Sequence, residues 1–370
     1  MTSDKTYLTT TYPTDEKVTL TNALLDWYDT NKRHLPWRED PTPYRVWISE
    51  IMLQQTRVEA VKPYFERFLH HLPDVKSLSE VSEDLLLKLW EGLGYYSRAR
   101  NLKRAAQQIM TEYAGQIPPN YEQLLTLSGI GAYTAGAIAS IAFGLPHPAV
   151  DGNVQRVLTR LYQNSIPINQ PSAKLWAQTT TLSHIPQSRP GAFNQALMEL
   201  GACICVPNGE PKCFDCPLER FCLAHQAKAE REYPRKDAKK PRLTEQKTIL
   251  IIQQHNKIAL HKRPDKGLLR GMYEFPNLPG YHNDKEVISY LQDRGLNAIH
   301  IQEAGSAKHI FTHREWHMRG YFIQIDELES SNSKDTISDT DTWIYLECAD
   351  IIQHYAIPSA FLAYMKYLYS

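Results

Sequence analysis

The sequence predicts a multi-domain chain: an all-α core over residues 1–225 with a helix-hairpin-helix and a cysteine loop, a charged linker over 226–247, and an α+β domain over 248–370. Apolar residues recur at three- and four-residue spacing through most of the first part. Four of the six cysteines fall between Cys205 and Cys222. From Thr248 onward apolar and polar residues alternate as in paired strands.

A chain of 370 residues is long enough for two or three domains, and its 42% hydrophobic and 22% charged content suits a soluble globular protein. Lys plus Arg equals Asp plus Glu at 41 each, so overall charge argues neither for nor against a nucleic-acid partner. Local charge says more. Lys88 to Arg104 holds five basic residues against one acid, whereas Asp326 to Asp350 is acidic, and a duplex should prefer the first region. The opening MTSDKTYLTTTYPTDEK lacks the basic-then-apolar layout of a secretory signal, and no apolar run approaches membrane-spanning length. The protein is expected inside the cell, with no membrane partner.

Residues 18–37 carry a helical pattern (Val18, Leu20, Ala23, Leu24, Trp27, Tyr28) that ends in the Pro-marked RHLPWREDPTPY. A second helix runs through VWISEIMLQQTRVEAVKPYF. In it Glu50 shares a face with Val46, Trp47, Leu53 and Gln54, and a carboxyl among apolar neighbours resists ionising, as a general acid must at neutral pH. Helical pattern continues over 62–91 with a boundary at HLPDVKSL, followed by GLGYYSRARNLKRAA. That segment is a loop and an amphipathic helix with a basic face; its aromatics, freed by two glycines, also suit a wedge that fills the gap left by an unstacked base.

Leu124 to Arg156 joins a phosphate-gripping turn to a lone carboxylate. An apolar run ends at Leu127, the turn Ser128-Gly129-Ile130-Gly131 follows, and a small-residue helix resumes at Ala132, giving a helix-hairpin-helix over about 121–143. The two glycines are expected to allow backbone angles closed to other residues and a close approach to phosphate at the second helix's N–H groups. Pro146 and Pro148 end the helix, and Asp151 stands before Gly152 and Asn153 at the start of another, as an N-cap and as a carboxylate beside a DNA-binding turn. Residues 169–204 return to helix, burying Phe193, Ala196, Leu197 and Leu200.

Cys205, Cys213, Cys216 and Cys222 have seven, two and five residues between them, a spacing that lets four thiolates converge on zinc or on a [4Fe–4S] cluster. Cys203 is a rival for the first position.

These motifs together resemble the helix-hairpin-helix DNA glycosylase superfamily and, over roughly residues 18–365, its MutY-type adenine branch. In SEIMLQQTRV the resemblance makes Glu50 the acid that protonates adenine N7 and makes Gln54 and Gln55 probes of the lesion pair, with Arg33, Trp37, Leu53 and Val58 lining the adenine pocket. It implies that Gln195 contacts the adenine edge, that Tyr95 is the wedge, and that Gly129 and Gly131 grip the duplex. Asp151 is implied to stabilise or transiently attack the sugar, with Tyr133 and Asn153 orienting the intermediate. Relatives that also cut the backbone carry a Schiff-base lysine where this chain has Tyr133, so a monofunctional glycosylase is expected.

The resemblance further favours a [4Fe–4S] cluster on Cys205, Cys213, Cys216 and Cys222, although the first gap is seven where the family typically has six. Residues beyond the linker resemble the Nudix fold of MutT-like proteins. Gly280, Glu286 and Arg294 fit its hydrolase box, but Gly295 to Ala298 supplies no carboxylate to hold magnesium, so this domain is expected to recognise 8-oxoguanine through Phe311, Thr312 and His313 and to hydrolyse nothing.

The expected activity is hydrolytic removal of adenine mispaired with 8-oxoguanine or guanine in double-stranded DNA, by a monomer in a bacterial cytoplasm at the nucleoid. Two alternatives are an endonuclease III type glycosylase and lyase acting on oxidised pyrimidines, which Tyr133 opposes, and a non-catalytic lesion-binding scaffold, which the pairing of Glu50 with Asp151 opposes.

Overall fold

The structure is a computed structural model that describes residues 19–237, 241–326 and 343–369. The chain forms two compact units, residues 1–54 with 116–238 and residues 55–115 with 239–370. The C-terminal sheet thus shares its unit with a helical stretch from the first third of the chain.

Helix α1 (Leu20–Asn31) is capped by Thr19, whose side chain accepts from Asn22 N. It ends earlier than its periodicity suggests. Lys32 turns extended, and the chain re-enters helix in the short α2 (Pro36–Glu39), begun by a proline whose missing N–H costs nothing in a first turn. Where a single helix was expected over 46–65 there are two, α3 (Pro43–Leu53) and α4 (Val58–His71). Gln54 leaves the helical region at ψ 111° and Gln55 sits at φ 59°, a left-handed conformation that no helix continues through. Next come α5 (Val75–Glu80), opened by an Asp74–Ser77 capping box, α6 (Glu83–Leu89), capped by Ser82, and α7 (Ser97–Glu112).

The hairpin consists of α8 (Tyr121–Thr126), capped by Asn120, and α9 (Ala132–Ala137), which widens into a π-helical turn over Ile138–Ala142. Then follow α10 (Gly152–Leu161), α11 (Pro171–His184), α12 (Pro190–Cys203) and the short α13 (Leu223–Gln226). The helical stretch expected over 169–204 is therefore broken between Ile185 and Arg189, ahead of the proline that starts α12. One face each of α1, α10 and α12 closes a core of Leu24, Leu25, Val154, Leu158, Phe193 and Leu197, each such burial contributing about 1.5–3 kcal/mol. Gly136 sets how close the hairpin lies to the segment leading into Asp151: a Cβ there would stand 2.1 Å from Pro148 O.

In the second unit, β1 (Leu243–Gln254) begins inside the stretch expected as linker, and Glu230–Glu232 forms a turn of 3-10 helix before it. With β2 (Lys257–Lys262), β3 (Tyr273–Glu274), β4 (Asn277–Pro279), β5 (Ala298–Ile310), β6 (Arg314–Ile325) and β7 (Trp343–Glu347) it builds one sheet of order β3-β2-β1-β6-β5, with β4 pairing β1 and β7 pairing β2. Strands β1 and β6 are parallel from Leu243 opposite Arg314 to Gln253 opposite Gln324. The run Ile249–Ile252 is apolar at every position because both sheet faces are covered. Leu250 and Ile252 pack with α14 (Asp284–Gln292); Ile249 and Ile251 pack with α15 (Cys348–His354) and the 3-10 segment Ser359–Leu368. Glu286 closes a capping box at the start of α14, accepting from Asn283 N at 2.8 Å. Most of the acidic stretch after Asp326 lies outside the described residues. Among the described residues no helix is long and apolar enough to cross a membrane.

Candidate active site

Thr42 caps α3 and Pro43 starts it, and the helix then buries every residue from Val46 to Met52, Glu50 included at 6% exposure. The Tyr133 hydroxyl, delivered by the first turn of α9, donates to Glu50 Oε2 and also lies 3.6 Å from Met198 Sδ. Burial pushes the Glu50 pKa up to about 7; the Tyr133 hydrogen bond pulls it down, the nearby Asp151 charge raises it, and the Arg38 charge lowers it. Half-protonated at neutral pH, Glu50 is poised to give a proton.

Asp151 caps α10. Its carboxylate accepts from Val154 N at 2.8 Å and from Asn153 Nδ2 at 2.9 Å. Burial raises its pKa too, but the Val154 amide, the side chain and amide of Asn153 and the Arg156 charge all pull against that rise. Glu50 has one hydrogen-bond donor opposing its burial and Asp151 has three, so burial raises both carboxyls but meets more opposition at Asp151. Asn153 is held in turn by Arg156 Nη2, at 2.9 Å from its Oδ1, and is pressed against α12 where Gly201 leaves room: a Cβ there would sit 2.7 Å from the Asn153 Cβ.

Beside this pair lies a polar cluster that periodicity did not reveal. Glu199, 1% exposed, accepts from Arg33 Nε at 2.6 Å, from the Arg33 amide at 3.1 Å and from Arg38 Nη2 at 2.9 Å. Burial alone would raise its pKa, yet the two guanidinium groups outweigh it and hold the carboxyl down at about 2. Arg38 Nε donates to Gln195 Oε1 at 3.0 Å, which leaves the Gln195 NH2 as a donor. Arg33 is thus tied to Glu199, Trp37 is buried, Leu53 is half-buried, and Gln54 Nε2 donates to Thr134 Oγ1 at 3.4 Å. Sequence reasoning missed Arg38 and Glu199. The available signal was the four-residue step from Gln195 to Glu199, which puts both on one face of α12.

Of the two hairpin glycines, Gly129 has φ 78° and needs its freedom. Gly131 does not: it is an extended N-cap at φ -97°, with open space around it and nothing within 4 Å of an added Cβ.

Cys205, Cys213, Cys216 and Cys222 line one cavity of about 30 Å³ with Arg160, whereas Cys203 turns to Glu199, its Sγ 3.9 Å from Oε1. Burial and the neighbouring groups raise the Cys213 and Cys216 thiols to about 12, so these sulfurs become thiolates only when something positive shares the cavity. Donors face them: Arg160 Nη1 lies 3.2 Å from Cys205 Sγ, the Leu218 amide points at Cys216, and the amides of Ala224 and His225 point at Cys222. Four thiols ringed by N–H donors fit a thiolate-bound metal centre. Cys213, His225 and Glu230 also lie within metal-binding reach of one another, but there His225 Nδ1 and Glu230 Oε1 are already paired at 2.6 Å.

Gln55, Val58, Tyr95, Phe311, Thr312 and His313 belong to the second unit. Gln55 is exposed and Val58 half-buried. Tyr95, at φ 49° and 49% exposed, meets Thr312 through a hydroxyl pair at 3.2 Å. Phe311 packs edge-on against Trp316, centroids 4.8 Å apart, which leaves Thr312 and His313 exposed at the tip of the β5–β6 hairpin. The Gly92–Tyr96 turn and this tip border a cavity of about 550 Å³.

Residues 48–176 match the HhH-GPD superfamily base excision DNA repair protein model, and residues 248–367 match the NUDIX domain model. An adenine DNA glycosylase of Buchnera aphidicola is 36% identical over 312 residues, covering 84% of this chain and 87% of that protein. The adenine DNA glycosylase of Mus musculus is 35% identical over 372 residues, covering 84% and 71%. Among solved structures, a thermostable thymine-DNA glycosylase superposes with a TM-score of 0.52 at 28% identity, covering 56% of this chain and 95% of its own.

Proposed function

Because this chain belongs to the adenine DNA glycosylase family and carries a base excision repair domain, we propose that it removes adenine mispaired with 8-oxoguanine, or with guanine, from duplex DNA by hydrolysing the N-glycosidic bond. The observation that carries the chemistry is the Tyr133–Glu50 hydrogen bond beside the triply held Asp151. It sets a proton donor and an anion at one site, as cleavage through an oxocarbenium-like sugar requires.

Adenine everts into the pocket, where the Gln195 amide meets an acceptor on its edge and Glu50 gives its proton to N7, so that the base leaves neutral. Asp151 faces the developing positive sugar. Glu50, now ionised, takes a proton from water as it adds to the sugar, with Tyr133 and Asn153 holding the two carboxyls in place. Gly129 and Gly131 of the hairpin and the N–H groups that open α9 hold a backbone phosphate.

The second unit reads the opposite base. Tyr95 wedges into the stack, and Gln55 and the Phe311–Thr312–His313 tip inspect 8-oxoguanine. A NUDIX domain whose box glutamate caps a helix and whose Gly295–Ala298 segment lacks acids has the scaffold of a nucleotide binder without its magnesium site. The four cysteines would hold a [4Fe–4S] cluster, which when bound cross-links the 205–222 loop in the folded state. The test is single-turnover excision on A:8-oxoguanine and T:8-oxoguanine duplexes. Adenine release from the first and none from the second is expected, and equal release would overturn the assignment.

A further inference from the structure

One buried cation in the second unit is used by none of this chemistry. Arg98, 8% exposed, folds back under the Gly92–Tyr96 turn, where Nη2 donates to Leu93 O at 2.9 Å and to Gly94 O at 3.1 Å. The guanidinium lies between two rings, 5.3 Å from the Trp90 centroid and 5.6 Å from that of Tyr95. Trp90, fully buried, donates its Nε1 to Gly94 O at 3.1 Å and so fixes the other side of that carbonyl. Arg98 also reaches Thr56 Oγ1 at 3.5 Å, next to Gln55.

The turn needs such a brace. Gly92, Gly94 and Tyr95 all have positive φ, at 98°, 68° and 49°, and Tyr95 is a bulky residue in a region that costs about 1–2 kcal/mol. Gln55 shares that conformation at φ 59°. Both side chains read here as lesion probes thus stand on strained backbone, and a single guanidinium touches the turn of each. Strain of this kind persists only where the surroundings over-determine it.

We propose that Arg98 is a positioning residue for lesion recognition: bonded to Leu93 O and Gly94 O and stacked beneath Tyr95, it holds the Tyr95 ring in wedge orientation and keeps it in register with the Gln55–Thr56 turn. The proposal rests on the reading of Tyr95 as the wedge. A planar guanidinium can stack on a ring and span two carbonyls at once, and an ammonium cannot. The charge is thus less important than the plane that carries it.

The test is a double-mutant cycle in a Glu50→Gln background, which keeps the adenine attached, reading the ratio of duplex affinities for A:8-oxoguanine over A:T by fluorescence anisotropy. Arg98→Lys should lower that ratio about tenfold when Tyr95 is present and less than about twofold in Tyr95→Ala, because the arginine acts through the ring. A simple loss of stability would weaken binding to both duplexes alike and leave the ratio unmoved, and that result, or an equal fall in both backgrounds, overturns the proposal. If Tyr95→Ala alone leaves the ratio unmoved, the wedge assignment falls and the proposal with it. Arg98→Gln serves if the lysine variant melts below the assay temperature; failure of both to fold would make Arg98 a stabilising residue only and overturn the proposal.

Discussion

Tyr133 donates its hydroxyl hydrogen to Glu50, from the position at which the family resemblance implies a lysine in backbone-cutting relatives. A phenol there pulls the acid's pKa down and has no amine with which to form a Schiff base. Tyr133→Phe removes the one hydrogen bond that pulls the Glu50 pKa down, so the falling limb of the pH–rate profile should move above its wild-type position near 7. The rate at neutral pH should drop about tenfold as the carboxyl loses its orientation. Tyr133→Lys should gain a borohydride-trapped adduct with abasic DNA that the wild type lacks.

Wild-type excision should fall as pH rises through about 7, following loss of the Glu50 proton. Stability follows the same group. The folded pKa stands above the unfolded 4.5, so the stabilising protonated form is fully present below 4.5 and its contribution is lost as pH rises towards 7. Glu50→Gln should therefore be inactive, should bind the duplex as well as wild type, and should be more stable than wild type at pH 8 by roughly 3 kcal/mol, with little difference at pH 4. Thermal melts at the two pH values check it.

Glu199→Gln leaves the Arg33 and Arg38 guanidinium groups without the carboxylate that binds both. Loss of roughly 3–5 kcal/mol is expected, together with weaker adenine binding as Arg38 releases Gln195. The carboxyl's pKa, lowered to about 2, makes the wild-type advantage present above pH 4.5 and lost as pH falls towards 2. Urea titrations of both proteins at pH 7 and pH 3 should show the gap closing.

Gly201→Ala places a methyl against Asn153 while keeping α12 helical. Asn153 must shift, and Asp151 then loses its Nδ2 donor. The single-turnover rate should fall about tenfold or more, as for other misplaced catalytic groups, with duplex affinity little changed. An unchanged rate would show that Asn153 does not position Asp151.

Cys216→Ser should remove visible iron-sulfur absorption and lower the melting temperature. Cys203→Ser should change neither, since Cys203 turns towards Glu199 and does not line the cysteine cavity.

What the sequence made legible was local. Glu50 could be read as a carboxyl among apolar neighbours on its own helix and Asp151 as an N-cap, whereas their catalytic roles came from the family resemblance alone. The Arg33–Glu199–Arg38 cluster joins positions about 160 residues apart in the chain, and periodicity carries no trace of that pairing. The break after Leu53 escaped because no proline or glycine marks it; Gln55 is held left-handed against its own preference. Gly131 was misread for the opposite reason, since a glycine suggests unusual angles even where it only leaves space.

Strand β1 takes its long parallel partner from residues that leave the ribosome about seventy positions later. Until then the Ile249–Ile252 run has an open edge, and its Ile249–Ile251 face still lacks α15 and the Ser359–Leu368 segment, a ready template for pairing with another chain. A message cut short between β2 and β6 would therefore yield more than a chain without most of its sheet: its product would carry a sticky, unfinished strand, and its fate would be clearance or aggregation.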